Sequence, residues 1–174
     1  MALAGALVFP AMAQPGPPTD PLGSLRVQSF QENLPAPALS LNGVDGRPLR
    51  LGDLKGKVVF LNFWATWCVP CRQEMPAMER LYREYRGRGL VIVAVNFQES
   101  KEKVQGFLDE LRLSFPAVLD PDGSAAHIFG IRGLPVSFLL SRDGHILWKA
   151  IGSRDWDTSD GRTYFDKVLQ TTRP

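Results

Sequence analysis

Trp67-Cys68-Val69-Pro70-Cys71 contains both cysteines of this 174-residue chain. Upstream, residues 58–64 (VVFLNFW) form a near-continuous apolar run. Such a run reads as a central strand covered on both faces. Downstream, Met75, Met78, Tyr82 and Tyr85 continue the face of Cys71 at helical spacing. The pattern predicts a helix from about Cys68 to Arg86, kinked at Pro76, which lacks the donor N–H. A Cys-x-x-Cys pair delivered by a strand to the start of a helix reads as a redox pair.

The chemistry follows from that position. A helix N-terminus presents unpaired N–H groups and partial positive charge, and both stabilise a thiolate, the reactive form of cysteine. Cys68 is expected to be exposed and nucleophilic, and Cys71, a turn further in, buried and resolving. Cys68 then attacks a target disulfide, and Cys71 displaces the reduced target from the mixed disulfide. Other readings are a structural disulfide, a zinc site and two free core thiols. A bridge closing so small a loop restricts the unfolded chain little. Zinc needs four ligands, and His127 and His145, the only histidines, lie far from the cysteines. No metal site and no cofactor are expected.

Apolar content of 44% and charged content of 22% are those of a globular chain long enough for one domain. The net charge of +2, spread over scattered and interleaved basic residues, excludes nucleic acid as the expected partner. Residues 3–13 are apolar, and Ala11-Met12-Ala13 before Gln14 resembles a cleavage site. This reads as a signal or anchor, although no Lys or Arg precedes Arg26; a plain apolar tail is the alternative. A proline-dense linker follows. The expected organisation is a targeting segment and linker over residues 1–36 and one domain over 37–174. Export would place the dithiol where disulfides form.

Within the domain, residues 39–41 and 49–51 flank a turn-rich stretch and suggest a hairpin. Residues 90–97 read as a second central strand, and Val104, Phe107, Leu108 and Leu111 as a helix beginning near Ser100. Then come a short strand at 117–119, a short helix at 124–129, strands at 136–140 and 145–151, and a helix at about 161–170. The order is β-α-β-α, an insertion, then β-β-α. That predicts an α/β fold, a mixed central sheet with helices on both faces.

Four stretches carry a family resemblance: NFWATWCVPCRQEMP at 62–76, AVNFQESK at 94–101, the inserted segment 115–131, and GLPVSFLL at 133–140. Together the region from Pro37 onward resembles the TlpA/ResA-type thiol–disulfide oxidoreductases of the thioredoxin superfamily, with the Val-Pro dipeptide and Met75-Pro76 nearest TlpA. The resemblance implies a thioredoxin fold with an N-terminal β-hairpin and a central β-α insertion. It further implies an exported, often membrane-tethered disulfide reductase. Its clients would be apocytochrome c or copper-site proteins of cytochrome oxidase assembly, and its electron donor a membrane protein of the DsbD or CcdA type. Pro135 matches the family's cis-proline, so that Leu134 would offer its backbone to an extended client segment. Trp67 is either part of that docking surface or core. Glu99 matches an acidic position near the active site; burial would raise its pKa and suit it to proton transfer. Asn62 stands where thioredoxin commonly has a buried aspartate, and an amide cannot titrate. Rival functions on the same fold are copper delivery, with His127 as the imagined third ligand, and thiol peroxidation.

Overall fold

The computed structural model describes residues 25–30 and 34–171. The expected targeting segment, residues 3–13, lies outside them. Among the described residues no helix is long and apolar enough to cross a membrane.

Among the described residues one eight-stranded sheet runs in the order β1 (Gln28–Ser29), β8 (Ile146–Ile151), β7 (Val136–Leu140), β4 (Val58–Trp64), β5 (Leu90–Phe97), β6 (Ala117–Asp120), β2 (Ser40–Gly43) and β3 (Pro48–Arg50). Its centre is β4 (Val58–Trp64), parallel to β5 (Leu90–Phe97) and antiparallel to β7 (Val136–Leu140). β6 (Ala117–Asp120) continues the parallel run beside β5. The hairpin of β2 (Ser40–Gly43) and β3 (Pro48–Arg50) closes that side, and β8 (Ile146–Ile151) flanks β7. Among the described residues the α-helices are α1 (Val69–Tyr85), α2 (Lys101–Leu111), α3 (Ser124–Ile128) and α4 (Ser159–Thr171). This is the mixed α/β, thioredoxin-like architecture expected, with the hairpin and the β6–α3 insertion in place.

Every residue of β4 is buried, as its uninterrupted apolar run predicts. Alternation divides the strand between two apolar layers. Val58, Phe60 and Trp64 face the layer that holds Met75, Met78, Leu81 and Tyr85 of α1, Phe107 of α2 and Phe165 of α4. Val59, Leu61 and Phe63 face the layer that holds Leu39 and the α3 residues Ala125 and Ala126. Trp148 and Trp156 stack with centroids 5.3 Å apart, and the edge of Phe60 meets both rings. α1 continues through Pro76 from residue 69 to residue 85.

The folded body reaches upstream of the expected start at Pro37. β1 (Gln28–Ser29) adds a short strand to the edge of β8, and Leu25 is buried in the α1 layer. Arg154 holds this arm by donating from Nε to the Leu25 carbonyl at 2.8 Å and from an Nη to the Arg26 carbonyl at 3.2 Å. A two-residue strand with exposed side chains leaves no periodic signal, and a guanidinium-to-carbonyl clasp across more than a hundred residues leaves none either.

Candidate active site

The C-terminal ends of β4 and β5 and the start of β7 meet at one end of the sheet, where α/β sites gather. β4 ends at Trp64, and four residues later Cys68 forms the N-cap of α1. Its Sγ accepts the backbone N–H of Cys71 at 3.2 Å. Pro70 in the first turn fits because the N–H it lacks has no intrahelical partner there. Cys68 and Cys71 form a disulfide, with Cα atoms 5.3 Å apart. The expected contrast in exposure is small: Cys68 is 5% exposed and Cys71 not at all.

The register of β4 with β7 pairs Phe63 with Val136 and so sets Pro135 beside the end of β4. The Leu134–Pro135 peptide bond is cis. Leu134 is partly buried, and the Pro135 carbonyl accepts the Gly152 N–H at 2.9 Å. Trp67 is 62% exposed, which removes the core reading of that residue. Val69 and Ile151 are also large exposed apolar residues, the latter paired with Val136 across the sheet. Three apolar side chains therefore stand open around the disulfide and the proline loop.

Glu99 lies in the β5–α2 loop and reaches the β4–α1 loop. It accepts the Thr66 backbone N–H and the Thr66 hydroxyl, both at 2.6 Å, and the Asn96 amide at 2.9 Å, and it pairs with Lys103 at 2.7 Å. The expected rise in its pKa is reversed. Burial pushes the carboxyl up, but the bonds from Lys103, Thr66 and Asn96 outweigh burial and hold it at about 2. A group this acidic stays ionised near neutrality and is poorly matched to proton transfer there. What Glu99 does in this geometry is fix Thr66, two residues before Cys68.

The acid with a raised pKa is Glu74, which the sequence reading passed over. It sits three residues after Cys71 and is 2% exposed. Its Oε1 accepts the Asn62 amide at 2.9 Å. Its Oε2 accepts the Arg154 backbone N–H and the Trp156 indole N–H, both at 3.1 Å. Burial raises its pKa to about 7, against the opposing pull of the Trp156, Arg154 and Asn62 bonds and the Arg154 charge. The position of thioredoxin's buried aspartate is thus filled by an amide, and a carboxyl reaches that amide from the helix instead. A signal was present in the sequence: Glu74 falls on the helical stripe Cys71, Met75, Met78, where an acid is out of place.

His127 is exposed on α3. Among the described residues no three His, Cys, Asp or Glu side chains are grouped as metal ligands. The chemistry this end of the molecule can perform is dithiol–disulfide exchange beside a carboxyl that titrates near neutrality.

The sequence profile of the AhpC/TSA family matches residues 33–149, a span that includes the dithiol and Pro135. The thiol–disulfide oxidoreductase ResA of Bacillus thuringiensis is 36% identical over 141 residues, covering 81% of this chain and 80% of that protein. ResA of Bacillus subtilis is 40% identical over 126 residues, covering 72% and 70%. A crystal structure of a putative thiol:disulfide interchange protein DsbE from Chlorobium tepidum superposes with a TM-score of 0.73 at 34% identity, covering 81% of this chain and 99% of that one. With its Cys68–Cys71 pair set at the start of α1 in a thioredoxin fold, the chain belongs to the AhpC/TSA family as a thiol–disulfide oxidoreductase of the ResA type.

Proposed function

We propose that the chain reduces disulfides of client proteins in an extracytoplasmic compartment. The observation that carries this reading is the Cys68 sulfur at the N-cap of α1, with the Cys71 N–H directed at it. That N–H and the helix end favour thiolate on Cys68 once the pair is reduced. The Cys68 thiolate attacks one sulfur of the client disulfide, and the other client sulfur leaves as a thiolate and takes up a proton. Cys71 gives its proton to the Glu74 carboxylate and attacks Cys68. The Cys68–Cys71 bond forms as the Cys68–client bond breaks, and the second client sulfur leaves as a thiolate and takes up a proton from water. Glu74 suits this step because a group titrating near 7 both accepts and returns a proton at neutral pH.

The client lies extended along Leu134 and Pro135, with Trp67, Val69 and Ile151 as an apolar collar. Family likeness supports apocytochrome c or a copper-site protein of cytochrome oxidase as the client. The same likeness supports a membrane donor of the DsbD or CcdA type, and export through the N-terminal segment. Equilibration with glutathione tests the direction of electron flow. A reductase should have a potential nearer about −270 mV than about −120 mV; a value at the oxidising end would make the chain a disulfide donor. Reduction of disulfide-bonded peptides with a Cys-x-x-Cys-His sequence and with a copper-site sequence then separates the two client classes by rate.

A further inference from the structure

Glu74 receives three hydrogen bonds, and each partner meets it with a donating N–H. Its donors are the Asn62 amide, the Arg154 backbone N–H and the Trp156 indole N–H. This arrangement suits the carboxylate, which only accepts. When Glu74 is protonated, its O–H needs an acceptor. The Arg154 N–H and the Trp156 N–H belong to groups that can only donate at those atoms. Asn62 differs, because a primary amide carries a donor and an acceptor on opposite sides of one torsion.

Asn62 and Ser137 are cross-strand partners on β4 and β7, both buried, on the sheet face that α1 covers. The Asn62 Nδ2 donates to Glu74 Oε1 and to Ser137 Oγ, both at 2.9 Å. Its Oδ1 is buried without a hydrogen-bond partner. An unused buried acceptor is a cost that folded proteins seldom leave in place. A half-turn about the terminal torsion exchanges the two ends. Oδ1 then faces Glu74 and Ser137, and each of them can donate to it: Ser137 through its hydroxyl, and Glu74 once it holds a proton.

We propose that Asn62 is a two-position amide that follows the Glu74 proton: its N–H groups face the carboxylate, and its carbonyl faces the protonated acid. This rests on Glu74 exchanging a proton during turnover. Asn62 is thus a positioning residue, acting on the dithiol through Glu74. The half-turn exchanges an unpaired oxygen for an unpaired NH2 at the same place, so the flipped position is reached only where the Glu74 proton compensates. What decides between the two positions is the proton. The charged residues lining the surface pocket beside Glu74 are Arg154 and Asp155 on the loop after β8 and Arg80 on α1, and Cys71 on α1 is held in the disulfide. β4 and β7 contribute only the uncharged Asn62 and Ser137 to its hydrogen bonds. The Arg154 guanidinium is engaged with the carbonyls of Leu25, Arg26, Ile151 and Ser153. It therefore stays in place while Asn62 turns.

The test is a pH titration of the oxidised protein by NMR between pH 5 and 9. It follows the Glu74 side-chain carboxyl carbon and the Asn62 side-chain nitrogen and its two protons. The expected result is that the Asn62 signals move with the midpoint of the Glu74 carboxyl. In Glu74→Gln, whose carboxamide can donate to Asn62 as the acid does, the Asn62 signals should stay near their low-pH positions throughout. A Glu74 carboxyl that titrates while the Asn62 signals hold still overturns the switch and leaves Glu74 as the acid. Asn62 signals that titrate unchanged in Glu74→Gln also overturn it. A Glu74 carboxyl that does not titrate in this range overturns both the switch and the proton role beneath it.

Discussion

Replacing Glu74 with Gln abolishes its titration while keeping its shape and its hydrogen-bonding reach. Burial raises the folded pKa to about 7 from the ordinary value of 4.5. The folded protein therefore holds this proton more tightly than the unfolded chain, which binds fewer protons across that interval. Stability must then fall as pH rises from 4.5 through 7. At about 1.4 kcal/mol per pH unit, the full loss is about 3 kcal/mol, of which about 2.5 kcal/mol falls between pH 5 and 8. Glu99 acts in the opposite sense, but its window lies lower, between 4.5 and about 2. Urea unfolding of the oxidised protein at several pH values reads the Glu74 contribution. For a slope of about 2 kcal/mol per molar, the wild-type midpoint should drop by about 1 M relative to Glu74→Gln between pH 5 and 8. Parallel pH dependences in the two proteins would refute the assignment of a near-neutral pKa to Glu74.

Two further variants test the site. Glu99→Ala leaves the Thr66 N–H and hydroxyl and the Asn96 amide without their acceptor, so it should cost about 1–3 kcal/mol at neutral pH. Because the carboxyl is held at about 2, that difference should persist down to about pH 4.5 and fade below it, as chemical denaturation at acid pH would reveal. Trp67→Ala removes an exposed side chain and should change stability by no more than about 0.5 kcal/mol. The same variant should slow reduction of a protein disulfide about tenfold and leave reduction of a small-molecule disulfide unchanged, the loss expected for an aromatic docking residue. Equal slowing toward both substrates would place Trp67 in the chemistry instead of the docking surface.

Much of the fold was legible because its signals are local. The apolar run before Trp67 marks β4, Ser100 caps α2 through its hydroxyl, and Cys68 begins α1. Residues 90–97 and 136–140 were delimited as β5 and β7 appear. The dithiol and the proline loop were legible through motif and resemblance. Two properties were not, because distant partners set them. The Glu99 pKa is reversed first by Lys103, one helical turn along in the sequence, and then by Thr66, thirty-three residues away, whose contact no local pattern marks. Glu74 shows in the sequence only as an acid on the apolar stripe of α1. Its burial depends on the loop that brings Arg154 and Trp156 onto α1 some eighty residues later. The same loop holds the N-terminal arm, which is why the fold's upstream limit was missed with it.

The division of labour between the two cysteines is the centre of this account, and trapping tests it most directly. Reduced Cys71→Ser and reduced Cys68→Ser are each mixed with a disulfide-bonded client peptide, quenched in acid and weighed intact. The expected result is a persistent mixed disulfide on Cys68 in the Cys71→Ser protein, and little or none in the Cys68→Ser protein, whose remaining thiol is fully buried. A stable adduct on Cys71 with none on Cys68 would contradict the account and exchange the two roles.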